Sequence, residues 1–189
     1  MTPDEITPVL TALFPEATVQ QPSAETWQVE QPPLRLLAIL SEDESWLRLL
    51  VAIAPFVEAQ PYLAQILEAN FDLTQEVRYA ASREVLWGVF QHCFASLTRT
   101  DFEAAIARLV ELQARGLSPF FNQLIEDRLR QIVRASKQQG QTLQTTLQNI
   151  ERFYAEGMLG NLQQDPQERE QFIAAWRAQL ERLWNEVDV

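Results

Sequence analysis

Most of the residues on which enzyme chemistry depends are scarce in this chain of 189 residues, which has one cysteine, one histidine and five glycines. With Cys93 alone, no disulfide can form within the chain, and a lone thiol suits a reducing compartment. One histidine and one cysteine cannot supply the usual ligand set of a zinc site. His92 and Cys93 are neighbours in a segment that reads as a strand, where adjacent side chains point to opposite faces. A thiolate–imidazole pair is therefore not expected, and both are read as structural. None of the glycines stands in a phosphate-binding arrangement, and no GxSxG elbow or HExxH helix occurs. Glu42, Asp43 and Glu44 lack the spaced ligand pattern of a calcium loop and read as a solvated turn. No catalytic residue, cofactor site or metal site is expected.

Positive charge is also thin. Lys137 is the only lysine, and 26 acidic residues against 15 basic ones give a net charge of −11. Residues 1 to 118 hold 7 Arg against 16 Asp and Glu, whereas residues 119 to 189 hold 8 basic against 10 acidic. Affinity for nucleic acid rests mainly on Lys and Arg neutralising phosphates, so this balance argues against it, and against anionic membrane surfaces. No apolar run approaches the roughly 18 to 20 residues that span a bilayer. The start, MTPDEITPVL, has neither a basic region nor a long apolar stretch of the kind that directs export, so the expected location is the cytoplasm.

What is present is ordinary globular material, 47% hydrophobic and 22% charged. A short first helix is expected, capped by Thr2 with Glu5 or by Thr7 before Pro8, with Ile6, Val9, Leu10, Leu13 and Phe14 on one face. The segments 26–30, 34–41 and 46–53 are short, bounded by Pro pairs or polar turns, and read as a three-stranded meander. Pro61 opens a helix ending near Leu73, with Tyr62, Leu63, Ile66, Leu67, Asn70 and Phe71 at helical spacing. Alternation from Val77 to Ala81, a corner at Ser82-Arg83-Glu84 and a run from Val85 to Phe94 predict a hairpin. The box Thr100-Asp101-Phe102-Glu103 opens a helix that stops at Gly116. Three further helices follow, from Ser118 to Gly140, from Leu143 to Glu156, and from a cap at Asp165 after a loop at 157–164. Their stripes include Phe121, Leu129, Val133, Ile150, Phe153, Tyr154, Phe172, Ile173, Leu180 and Leu183.

The fold class is thus α+β: an antiparallel sheet of about five strands packed with helices, in the order helix-βββ-helix-ββ-helix, followed by a three-helix C-terminal extension. The expected division is an α+β domain over 1–117 and a helical extension over 118–189. The phrases PYLAQILEANFDLTQEVRYAASREVLWGVFQHCF and TDFEAAIARLVELQ, in this element order, resemble the type III secretion chaperone-like fold, shared with YbjN-like proteins. The resemblance covers residues 1–116. It implies a small acidic cytoplasmic protein, commonly a homodimer, that holds a segment of a client protein on apolar patches. The helical extension is a departure from that family.

The residues agree with this in one respect. Leu34 to Leu40 is apolar at both parities, as is Val85 to Phe94, whereas a sheet with one wet face should alternate. Both sheet faces therefore call for cover, and the second has room for a subunit, a client or the chain's own tail. Buried roles explain most tryptophans, yet tryptophan is also enriched where proteins bind each other. The candidate partner-binding residues are Trp27, Leu36, Trp46, Trp87, Phe90, Trp176 and Trp184. The expected function is non-enzymatic protein binding of chaperone or assembly-factor type, with a protein client as partner. The alternative is a regulatory or scaffold domain that engages its partner through the C-terminal helices.

Overall fold

The structure, a computed structural model, describes residues 1–155 and 166–187. The elements, in chain order, are α1 (Pro3–Leu13), β1 (Thr18–Ser23), β2 (Thr26–Gln31), β3 (Leu34–Leu40), β4 (Trp46–Pro55), α2 (Phe56–Ala59), α3 (Leu63–Asp72), β5 (Arg78–Ser82), β6 (Val85–Cys93), α4 (Arg99–Arg115), α5 (Ser118–Gln138), α6 (Leu143–Ala155) and α7 (Pro166–Glu186). They fall into two compact units, Met1–Phe121 and Asn122–Val189. The fold is α+β, as its sequence implies, with one strand more than the expected five. The addition is β1, whose sequence TVQQPS turns a single apolar residue, Val19, toward the core. As an edge strand, disturbed in register before Pro22-Ser23, it has no hydrophobic period to announce it.

The six strands form one antiparallel sheet in the order β1-β2-β3-β4-β6-β5. Pairing fixes which side chains share a face. Leu36 opposes Val51, Leu49 opposes Phe90 and Gly88 opposes both Val51 and Tyr79. These define an inner face, which with Trp27, Val29, Ala38 and Leu47 meets Ile6, Val9 and Leu10 of α1 and Phe102, Ala105, Ile106 and Leu109 of α4. Burying a large apolar side chain of this kind contributes about 1.5 to 3 kcal/mol. Tyr79 and Leu86, further along the same face, join Ala59, Ile66, Ala69 and Phe120 in a second cluster. Phe120 meets Tyr79 edge-on, with ring centroids 5.4 Å apart.

Caps set where the helices begin. Glu5 accepts from the Thr2 backbone N–H at 2.6 Å, which selects Thr2 over Thr7 as the start of α1. For α4 the structure moves the box one pair earlier than expected. Thr98 is the cap, its Oγ1 accepting from the Asp101 N–H at 3.1 Å, so the helix begins at Arg99 rather than after Thr100. The spacing T-x-x-D at 98 competes with T-x-x-E at 100, and Thr98 wins because it has the extended backbone a cap needs, φ −90° and ψ 160°. Gly116, at φ +54°, ends α4 where the sequence places the stop.

The second unit packs its own core from Leu129, Val133, Ile150, Leu180, Leu183 and Val187. Glu126 pairs with Arg182 and Glu151 with Arg177, joining α7 to α5 and α6. The loop at 157–164 and the cap at Asp165 lie outside the described residues, as do the side chains of Phe153, Tyr154, Phe172 and Ile173. Among the described residues no helix is long and apolar enough to cross a membrane.

Candidate partner-binding surface

The helices of residues 1–121 direct their buried side chains to the inner face alone. The opposite parity makes an outer face on which no element of this unit lies. Its central row runs across the strands as Gln28, Leu37, Leu50, Val89 and Arg78, each in register with the next. One row over stand Thr26, Ile39, Arg48 and Gln91, and on the other side Ala52, Trp87 and Ala80. Trp46, opposite Cys93, closes the end. Leu37, Ile39, Trp46, Leu50 and Trp87 are half-buried, and Val89 in their midst is 8% exposed. A solvated antiparallel sheet face is normally polar, whereas this one carries an apolar patch over its three central strands.

Polar contacts tie its side chains together. The Arg48 guanidinium donates to Gln91 Oε1 at 2.7 and 3.0 Å, and its carbon lies 4.8 Å from the Trp46 ring centre. The Trp87 indole donates to the Ser82 carbonyl at 3.1 Å, which fixes that ring over the β5–β6 corner. At the other end of the sheet Arg35 pairs with Glu30 at 3.3 Å.

The candidate residues divide accordingly. Trp46 and Trp87 lie on the outer face, with their ring surfaces partly open. Trp27, Leu36 and Phe90 are 1%, 0% and 3% exposed on the inner face, so they offer no surface to a partner. Their parity points them at α1 and α4, and the Trp27 indole donates to Thr7 Oγ1 of α1 at 2.9 Å. Trp176 and Trp184 pack against the core of the second unit, where the Lys137 ammonium sits 5.4 Å from the Trp184 ring and donates to the Val187 carbonyl at 2.7 Å. The patch also takes in Leu37, Ile39, Leu50 and Val89, which are not among the candidates expected from sequence. Their signal was the double parity of the runs, and only the strand register brings them together.

A second apolar surface lies on α3. Ile66 and Ala69 face the core, but Leu63, Leu67 and Phe71, at intervals of four residues, face outward and are 37%, 66% and 89% exposed. The expected stripe thus spans a wider arc than the core covers.

Other polar groups of this unit are held in turns and ion pairs. His92 and Cys93 occupy opposite faces of β6, with His92 Nδ1 2.8 Å from the Cys93 carbonyl and its ring stacked on Phe90. Asp43 Oδ1 accepts from the Ser45 N–H at 3.1 Å and the Ser45 hydroxyl at 2.7 Å, pinning the β3–β4 turn. Beside α3 and α4 a cavity of about 170 Å³ is lined by Thr74, Tyr79, Arg108, Glu111, Arg115 and Phe120, among others. Both its arginines are held by carboxylates, Arg108 by Glu76 at 3.3 Å and Arg115 by Glu111. Burial pushes the Tyr79 phenol up from its ordinary value, further from the neutral range.

No protein-family model matches the sequence, and no curated protein matches it. Among solved structures the chain is similar to the Yersinia pestis type III secretion chaperone SycH, crystallised with a stable fragment of YscM2. The identity is 12%, over 61% of this chain and 99% of that one, at a TM-score of 0.48. It is also similar to a chain of the HopA1–SchA chaperone–effector complex, with 11% identity over 60% of this chain and 91% of that one and a TM-score of 0.47. A chain of the ExsC–ExsE complex shares 11% identity over 60% and 92% of the two lengths, at 0.42. At these identities and TM-scores the likeness carries no argument about what the chain does.

Proposed function

We propose that this chain is a non-enzymatic protein-binding protein of chaperone or assembly-factor type, acting in the cytoplasm and holding an apolar segment of a client on the outer face of its sheet. One observation carries the reading: the register row Leu37, Leu50 and Val89, flanked by Ile39, Trp46 and Trp87, is apolar where a solvated sheet should be polar. Half-buried aromatic rings beside flat aliphatic surface are the residue types that anchor protein interfaces. A second copy of the chain is proposed to cover Leu63, Leu67 and Phe71, since a helix stripe that repeats every four residues can pack on its own symmetry mate. The alternative, a partner held by the C-terminal helices, has less to use, because Trp176 and Trp184 already serve the core of their own unit.

Tagged full-length protein and its Leu50→Glu variant, purified from the native host and compared by mass spectrometry, test this reading. A client recovered with wild type and lost with Leu50→Glu is the expected result, provided the variant keeps its circular dichroism spectrum. A client retained by Leu50→Glu but lost on Trp184→Ala would transfer the function to the tail.

A further inference from the structure

The outer face has a charge opposite to that of the molecule around it. Of the seven arginines in residues 1–118, Arg35, Arg48 and Arg78 lie on this face, whereas Glu30 is the one carboxylate of sixteen that does. Glu30 is spent on Arg35. Among the described residues no carboxylate pairs with Arg48 or Arg78. The two arginines stand on β4 and β5 with β6 between them, Arg48 in register with Gln91 and Arg78 with Val89. Two strand spacings across and two residues along place them roughly 12 Å apart. The apolar groups Leu50, Val89 and Trp87 lie in the field between and beside them.

We infer that the outer face selects an extended client segment that carries two carboxylates about four residues apart, roughly 13 Å, with apolar side chains between them. This rests on the reading above and adds the chemistry of the partner. An apolar surface alone would take any greasy segment. Two guanidiniums with no described carboxylate partner, Arg48 held by the neutral Gln91 and the Trp46 ring, favour carboxylates there and disfavour cations. The overall charge of −11 works the other way, repelling acidic peptides at long range. A preference for acid can therefore come only from a local site.

Three fluorescein-labelled peptides with the same apolar residues, differing only at two positions four apart that are both Glu, both Gln or both Lys, are titrated with full-length protein and followed by anisotropy. The Glu peptide is expected to bind about ten-fold tighter than the Gln peptide, with the Lys peptide weakest. In the Arg48→Glu, Arg78→Glu double variant the order inverts. Equal binding of all three peptides, lost in Leu50→Glu, would overturn charge selection and leave the docking reading intact. Absence of binding by any peptide, or binding indifferent to Leu50→Glu, would overturn both. Sedimentation that shows self-association abolished by Leu50→Glu would give the face to a second copy and overturn the acidic client. The charge-swapped arginines are exposed or half-buried and pin no core contact, so the inversion remains readable if Leu50→Glu fails to fold.

Discussion

Single residues set how closely the layers approach. Gly88 lies under α4, and a Cβ at its position would stand 2.9 Å from Val51 Cγ2 and 3.2 Å from Leu109 Cδ2. Those atoms belong to fully buried side chains, which have little room to retreat. Gly88→Ala is expected to cost about 1 to 3 kcal/mol in chemical denaturation, as overpacking does. An unchanged midpoint would mean that the sheet and α4 can part freely. Asp43 acts through charge at the β3–β4 turn. Hydrogen bonds from the Ser41 hydroxyl and then from Ser45 hold its carboxyl at about 2, below the ordinary 3.8. A depressed carboxylate contributes stability above its unfolded value and loses it as pH falls through the folded one. The thermal stability gap between wild type and Asp43→Asn should thus be full above pH 4 and close toward pH 2. A gap equal at both ends would assign the effect to shape and not to charge.

At the scale of elements, a sheet with two edges leaves backbone groups there that need partners. The edge strand β5 is sealed by α3: Asn70 Oδ1 accepts from the Tyr79 N–H at 2.7 Å while its Nδ2 donates to the Tyr79 carbonyl at 3.1 Å. One side chain thereby imitates a neighbouring strand, which removes the pairing site an open edge presents. Asn70→Ala is expected to cost about 1 to 3 kcal/mol, since it leaves both groups unpaired, and to speed amide exchange at Tyr79. Stability and exchange unchanged would show that the edge needs no seal. The sequence reading marked Asn70 only as part of a helical stripe, because a contact between helix and strand leaves no local pattern. The same limit explains the other differences. Strands β2 to β4 and the hairpin were legible from length and from Pro and polar boundaries, whereas β1 had one inward apolar residue to show. Parity showed that β3 and β6 were apolar on both faces, but not which parity met the helices. Trp27, Leu36 and Phe90 looked equivalent to Trp46 and Trp87 until the register sorted them.

At the scale of the molecule, the chain passes from one compact unit to the next within α5, beyond the glycine that ends α4. The natural reading of Gly116 divides the chain after residue 117, yet Phe120, on the first turn of α5, is 4% exposed and fills the cluster of Ala59, Ile66, Ala69, Tyr79 and Leu86. The first unit accordingly reaches Phe121. We predict that a fragment of residues 1–121 folds cooperatively, and that one of residues 1–117 is weaker because it lacks the ring that meets Tyr79. Removing a buried phenylalanine costs about 3 to 5 kcal/mol, which for a unit of this size is on the order of 10 °C in melting temperature. Full-length Phe120→Ala should lose a similar amount from the transition that reports the sheet, with the helical unit left to its own core of Leu129, Val133, Leu180 and Leu183. Equal melting of the two fragments would place Phe120 outside the first unit's core, and with it the boundary back at Gly116. A residue can thus lie past a helix terminator and still complete the fold before it, because packing follows distance in space and not punctuation in the chain.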